Sequence, residues 1–542
     1  MLLTRSIGAR LDDDTVQPLV IVADRIAREG LGLLGQSCRV VNLAGASLED
    51  ARDALHEAEA LIVRSETRVD AALIGLAPRL RVIGRAGAGV DTIDVQAATA
   101  RGIVVVNAPG GNAVAAAEHT LALMFSLARH VPLADRLMKD GQWKRSQLVG
   151  TELTGKTLGL VGLGRVGTEV ARRALGLEMR VLVYDPYVPD DHIRTLGGEP
   201  SGLDPLLERA NYVSLHVPLT DATRALIDAD RLARMQPGAC LVNCARGELV
   251  DYPALLAALD AGQLAAAAID VYPEEPVSPD HPLPRHPKVI ATPHLGASTV
   301  EAQASVAVQV VHEVLAVLAG QPPQFAVNAP SIRAEEMPVL KPFMDLAFLL
   351  GKLATQLVDG AIRGCEVEYR GSIAEENTSA VTATAVQGLL EPISEVSVNL
   401  VNARLLARQR GLEVVERRSA TPEHYTSLVR VTVQASDGDV SVAGAVSDGR
   451  PAIVQIGEYE LHLPAVPGYL LMTRHDDRPG IIGTVGQLLG EADVNISSMQ
   501  VGRSGPRGHA LMLLSVDDPI PPDVVARLRA SLNFAAVKVL KL

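Results

Sequence analysis

Aromatic side chains are nearly absent from this chain. Phe, Tyr and Trp make up 3% of it, and Trp143 is the single tryptophan. A core short of rings is built from Ala, Val and Leu, which suits helices layered on sheets. Basic charge is also short: 50 Lys and Arg stand against 63 Asp and Glu, a net charge of −13. That balance disfavours nucleic acid and anionic membrane as partners. It leaves small anionic substrates open, because a few local arginines can still build an anion pocket. Cysteine is scarce. Cys38, Cys240, Cys244 and Cys365 cannot form a disulfide framework in a chain this long. No cluster of Cys or His completes a metal site around Cys240 and Cys244, so no metal is expected and both read as small apolar residues. Every apolar run meets a charge or a His before about 18–20 residues, so no membrane span is expected. Residues 1–18 lack an apolar leader, carry 12-DDD-14 and read as a disordered extension. The expected setting is a reducing cytoplasm.

A length of 542 residues exceeds one hydrophobic core and predicts three or four domains. From residue 19 strand-like and helix-like patterns alternate. 19-LVIVAD-24, 60-ALIVRS-65, 80-LRVIGRAG-87 and 103-IVVVNAPG-110 read as strands, and 50-DARDALHEA-58 as a helix. A long helical pattern spans 114–131. A second block, 157 to about 290, gives six strands with helices between them, the rhythm of a doubly wound sheet. Another helix, 300–320, meets the Pro-rich 321-QPPQFAVNAPS-331, which reads as a linker. Mixed patterns follow. From 468 the order is strand, helix, strand, strand, helix, strand.

The stretch 157-TLGLVGLGRVG-167 places GxGxxG between a strand and a helix, and the next strand ends in Asp185. Gly162 permits the tight turn, Gly164 lets backbone approach a pyrophosphate, and Gly167 lets the helix pack closely. The helix N-terminus supplies partial positive charge. Asp185 suits two ribose hydroxyls and repels a 2′-phosphate, which favours NAD over NADP. A bare GxGxxG is a weak signal; its strand, helix and acid strengthen it. Three charged residues then stand at strand ends: Arg246 in 242-VNCARGELVD-251, Glu275 in 269-IDVYPEEP-276 and His294 in 292-TPHLGAST-299. Ligands of doubly wound folds sit at those ends. Oxidising a secondary alcohol needs a base, which His suits. A carboxylate would orient that base, and an Arg would hold a substrate carboxylate. Any one of the three alone reads as structural; the set after a dinucleotide turn does not.

These stretches, with 61-LIVRSET-67, 82-VIGRAGAGVD-91 and 108-APGGNAVAAAEHT-120, resemble the D-2-hydroxyacid dehydrogenase family from residue 19 onward. The resemblance implies a Rossmann-type NAD domain (112–294) inserted into a flavodoxin-like substrate domain (19–111, with a return helix at 295–320). It makes His294 the acid/base, Glu275 its partner and Arg246 the substrate-orienting cation. It places Arg165, Val166, Asp185, Val217, Cys244, Ala245, Asp270 and Gly296 on NAD-contacting positions. It places Arg64, Ser65, Arg85, Gly87 and Asn112 on substrate positions, and gives Trp143, Lys144 and Arg145 to a neighbouring subunit's site. Arg64, Arg85 and Arg246 suit a doubly anionic substrate, and the branch resembled oxidises 3-phospho-D-glycerate to 3-phosphohydroxypyruvate, the first step toward L-serine. A glyoxylate or hydroxypyruvate reductase is the alternative, and a non-enzymatic NAD-sensing regulator a further one.

The length beyond 331 matches the long form of that branch. The expectation is a linker and an α+β intervening regulatory domain over 321–467, and a βαββαβ ACT domain over 468–542. In similar proteins 477-DRPG-480 and 493-DVNISSMQ-500 hold L-serine through the positions of Asp477 and Asn495, with His475 at an aromatic neighbour's position. The segment 451–468 contains no Lys or Arg, which argues against a phosphate-type effector in the intervening domain. A homo-oligomer is expected, a tetramer rather than a dimer.

Overall fold

Ala, Val, Ile and Leu run without polar alternation through 19–22 and 60–63, as strands buried on both faces require. In the computed structural model, which describes residues 17–44, 51–333, 335–531 and 534–542, these runs join a five-stranded parallel sheet. The extension expected over 1–18 lies outside the described residues except for its last two. From edge to edge the strands are Arg39–Asn42, Leu19–Val22, Ala60–Val63, Val82–Arg85 and Val104–Asn107. This 2-1-3-4-5 order is the flavodoxin-like one. Arg39–Asn42 was not expected as a strand; it lies on the edge, with none of its residues buried, so its apolar signal is short.

The helix Val300–Leu318 returns to cover this sheet. Val306, Val310, Val311 and Val314 pack on Val20, Val22, Ile62 and Val106. Each fully buried side chain of this kind contributes roughly 1.5–3 kcal/mol. The helix is long and apolar enough to cross a membrane by length and composition alone. Its valine face is spent on the sheet instead.

A second, seven-stranded parallel sheet carries Thr157–Val161, Arg180–Tyr184, Glu199–Pro200, Tyr212–Leu215, Ala239–Asn243, Leu264–Ile269 and Val289–Ala291, in the order 7-6-5-4-1-2-3. Six of these were expected. The seventh, Glu199–Pro200, is two residues long and contains a proline, so it leaves no period to read. The order reverses between Thr157–Val161 and Tyr212–Leu215, which opens a crevice at their carboxyl ends. The helix expected over 114–131 breaks. It ends at Arg129, His130 turns left-handed (φ 55°), and a separate helix, Val131–Lys139, buries none of its residues.

A third sheet of six strands (Ile362 to Pro464) packs on the helices Met337–Leu357 and Ser379–Leu390. The fourth is antiparallel, in the order Ile496–Arg503, His509–Val516, Tyr469–Asp476, Ala536–Lys541. Helices Ile481–Glu491 and Pro522–Ser531 cover one face. Leu470, Met472, Leu511 and Leu513 on the other face join the core of the third unit.

Candidate active site

The glycine corner has the geometry its spacing requires. Gly162 has φ 97°, and Gly164 caps the helix Arg165–Gly176. A Cβ on Gly167 would sit 2.2 Å from the Gly162 carbonyl oxygen, so only glycine permits that approach. Asp185 ties the loop down: Leu163 N–H donates to Oδ2 at 2.8 Å and Tyr187 N–H to Oδ1 at 2.9 Å. A carboxylate has further lone pairs, so Asp185 keeps capacity for hydroxyl donors. The helix N-terminus and the acid on the adjacent strand fit the pyrophosphate and ribose of a dinucleotide.

His294 and Glu275 come from two neighbouring strand ends and meet. His294 Nδ1 lies 2.7 Å from Glu275 Oε2. Glu275 Oε1 also accepts from Tyr272 N–H at 3.0 Å. Burial pulls the Glu275 carboxyl upward, but the bonds from His294 and Tyr272 outweigh it and hold it below its ordinary value. It therefore stays ionised at neutral pH. Arg246 is fixed from two sides: Nε donates to Asp91 Oδ2 at 3.0 Å, and Nη1 to the Ala245 carbonyl at 2.6 Å. No hydrogen bond engages its Nη2 among the described residues.

Two further guanidiniums converge from the first sheet. Arg64 and Arg85 stand at adjacent strand ends, and Arg64 Nη1 donates to the Arg25 carbonyl at 3.3 Å. Arg85 folds back over Gly87, whose missing Cβ leaves its room. Its Nε is buried and has no partner among the described residues. Burial first, and then the charges of Arg246 and Arg64, push Arg85 down to about 10. Such mutual repulsion, with one buried donor unspent, is the electrostatic signature of a place for an anion. Ser65 follows on the exposed loop, and Asn112 heads the helix Ala113–Arg129.

A cleft of about 470 Å³ unites much of this set. Asp91, Asn112, Arg165, Val166, Val217, Cys244, Ala245, Arg246, His294 and Gly296 line it. A larger cavity, about 1280 Å³, lies between the helix Val300–Leu318, the linker and Met337, and none of the strand-end charges reaches it. Trp143, Lys144 and Arg145 are exposed and do not line the cleft; Trp143 is 79% exposed.

Three features were not legible in the sequence. His216 lines the cleft, bonded to Ser214 Oγ at 2.8 Å, and burial pushes its pKa down to about 4. Asp270, expected against the cofactor, is fully buried and accepts from protein donors on both oxygens. Cys244, expected as a small apolar residue, gathers with His119 and Asp270, their ligand atoms within 4.8 Å. Burial, and next the Asp270 charge, push its thiol up to about 12.

Family models add to this geometry. The NAD binding domain of the D-isomer specific 2-hydroxyacid dehydrogenases matches residues 121–296, the D-3-phosphoglycerate dehydrogenase intervening domain 339–457, and the ACT domain 469–533. The chain is 44% identical over 510 residues to the D-3-phosphoglycerate dehydrogenase of Archaeoglobus fulgidus, covering 93% of this chain and 96% of the relative. The chain belongs to the D-3-phosphoglycerate dehydrogenase family. The Bacillus subtilis member of this family is 39% identical, over 96% of this chain and 99% of its own. Among solved structures, the NAD-dependent formate dehydrogenase of Staphylococcus aureus in complex with NAD aligns with a TM-score of 0.51 at 30% identity, over 57% of this chain and 97% of its own. That share fits a match to the two parallel sheets alone. The family's NAD-binding domain makes the chain an NAD-dependent oxidoreductase.

The ACT domain holds the other predicted positions. Asp477 precedes the turn, where Oδ2 accepts from Arg503 Nη1 at 3.2 Å and from Arg507 N–H at 3.3 Å. Asn495 is exposed and donates to Asp517 Oδ2 at 2.6 Å. His475 is buried. Strand alternation turns it toward the helix-covered face, with its ring edge-on to Phe534 at 5.6 Å. In the intervening domain, Arg370 and Arg430 are each paired with both Glu368 and Glu423, so this cluster leaves no free cation.

Proposed function

We propose that the chain oxidises 3-phospho-D-glycerate to 3-phosphohydroxypyruvate, with NAD bound over the 162–167 corner. Gly162, Gly164, Arg165, Val166, Gly167 and Asp185 would hold the dinucleotide, with Val217, Cys244, Ala245 and Gly296 along the crevice. When bound, NAD supplies the hydride acceptor. The carrying observation is the 2.7 Å contact between His294 and Glu275 at a cleft edge shared with Arg246. Glu275 occupies Nδ1, so Nε2 is the nitrogen that takes the C2 hydroxyl proton. Ionised Glu275 then steadies the imidazolium. Arg246 is braced by Asp91 and presents Nη2 to the substrate carboxylate. Arg64 and Arg85, with Ser65, Gly87 and Asn112, receive the phosphate end. The buried Arg85 Nε favours this over a reductase for unphosphorylated acids, which has no need of a third arginine.

The layout carries the same reading: 19–111 and 295–320 form a substrate domain around the inserted NAD domain, and closure of the two excludes water. L-serine is the proposed effector, held at Asp477 and Asn495. A homo-oligomer, tetramer over dimer, is proposed from the unburied helix Val131–Lys139 and exposed Val131, Met138, Trp143 and Val149. That surface would lend Trp143, Lys144 and Arg145 to a neighbour. The proposed setting is the cytoplasm.

The test is NADH formation with 3-phosphoglycerate against D-glycerate, titrated with L-serine. The phosphate should raise kcat/KM by at least ~100-fold, as a charge-assisted site does. Equal rates would favour the reductase reading, and no turnover with either acid the regulator. His294→Ala should lose roughly 10²–10⁴-fold of kcat and keep NAD binding.

A further inference from the structure

We infer that His119, acting through Asp270, is a positioning residue that sets the place of the His294 base. The inference rests on the proposed role of His294 and goes beyond it by naming what holds that residue.

His294 needs holding. It has φ 54°, a left-handed conformation that L side chains rarely adopt. Nearly every bond that fixes its turn ends on one residue. His294 N–H donates to the Asp270 carbonyl at 2.8 Å. The Asp270 carboxylate accepts from Leu295 N–H at 2.8 Å, Gly296 N–H at 3.0 Å and the Thr292 hydroxyl at 2.6 Å. All three donors belong to the same turn. They fix it to the end of the strand Leu264–Ile269, but not to the helix Ala113–Arg129 across the crossing.

His119 supplies the outside reference. Its Nε2 lies 3.1 Å from Asp270 Oδ1 and 3.3 Å from Thr292 Oγ1. It stands on the helix Ala113–Arg129, which starts where the chain passes from the first sheet to the second. The 292–299 segment is where the chain passes back. The His119–Asp270 bond therefore ties one crossing to the other. The carboxylate is fully buried, so each lost donor matters. Glu275 is anchored separately, by Tyr272 N–H. Movement of the 292–296 turn would thus open the 2.7 Å His294–Glu275 contact without moving Glu275. A misplacement near 1 Å costs on the order of 10²-fold in rate.

The experiment uses the full-length chain and four variants: His119→Ala, His119→Gln, His294→Ala and the double variant His119→Ala/His294→Ala. The readouts are kcat and KM for 3-phosphoglycerate, NADH affinity by fluorescence and the melting temperature. His119→Ala should lower kcat about 100-fold, with KM and NADH affinity within ~3-fold. Gln reaches as far as Nε2 with a donor and should recover at least ~10-fold. In the His294→Ala background, His119→Ala should cost nothing further, because its effect passes through His294. An undiminished kcat, a parallel loss of NADH affinity, an additive double variant or no rescue by Gln would each overturn the inference. If His119→Ala does not fold, His119→Gln and Thr292→Val decide it: both should fold, with kcat reduced more than NADH affinity. Equal losses there overturn it. If His294→Ala itself keeps its turnover, the reading of His294 as base fails instead, whatever His119 does.

Discussion

Two glycine corners turn a strand into a helix in this chain, one at 162–167 and one at 477–480, and they use glycine for different reasons. At the first, glycine is required by contact: the Gly167 Cα lies where a Cβ would strike the Gly162 carbonyl. The acid, Asp185, sits on the neighbouring strand and bonds the loop from below. At the second, Gly480 has φ 97° with open space around it, so only the backbone angle asks for glycine. Its acid, Asp477, stands before the turn and draws donors from Arg503 and Arg507. The first corner leaves backbone N–H groups at a helix N-terminus, and the second sets a carboxylate, paired with Arg503, before its turn.

Gly167→Ala should break that comparison most sharply. The helix Arg165–Gly176 must shift to accept the methyl, and NADH affinity should fall by more than ~100-fold, since backbone donors at a helix N-terminus work only in place. Gly480→Ala carries only left-handed strain, roughly 1–2 kcal/mol, and should leave NADH affinity alone. Fluorescence titration of both reads the difference; similar losses would mean that the corners are not specialised.

Asp185→Ala should come next. It removes a charged acceptor, worth about 1.5–3 kcal/mol, so KM for NAD should rise roughly 10–100-fold while KM for NADP rises less or falls. Steady-state kinetics with both cofactors checks it, and an unchanged preference would remove Asp185 from cofactor selection.

The contrast between corners also explains what the sequence disclosed. The first corner was legible because its parts are local: strand, turn and helix are contiguous, and Asp185 ends the next strand. Arg246, Glu275 and His294 were legible because each closes a strand, and strand ends in this fold converge. His119 was not. Its partner Asp270 is 151 residues away, and an AEHT stretch inside an apolar helix carries no period that marks a buried polar bond. Asp270 is expected against the cofactor by its position; the bonds its carboxylate accepts from the 292–296 turn carry no sequence signal either. The resemblance puts His475 at an aromatic neighbour's position; on the strand Tyr469–Asp476 it is buried, edge-on to Phe534, while Asp477 follows the strand's end and draws donors from Arg503 and Arg507.

A smaller effect is expected at the second corner itself. Asp477→Ala removes one carboxylate from an exposed, solvent-screened site, and the L-serine concentration for half-inhibition should rise about 10-fold. Inhibition curves at fixed substrate read it. An unmoved curve would place the effector elsewhere.

The smallest effect concerns His475, and it sharpens what lies beneath that corner. Burial lowers its pKa, and the charges of Asp477 and Asp476 only partly oppose this. The folded chain therefore resists protonation at His475, whereas the unfolded segment takes a proton near pH 6.5. Its stabilising contribution is whole above that pH and is lost as pH falls below it toward the lower folded value. Hydrogen exchange in the strand Tyr469–Asp476 should accelerate between pH 7.5 and 5.5 beyond the intrinsic pH dependence of exchange. His475→Phe keeps a ring against Phe534 but carries no proton, so it should abolish that excess. Equal acceleration in both proteins would assign the acid response to groups other than this buried imidazole.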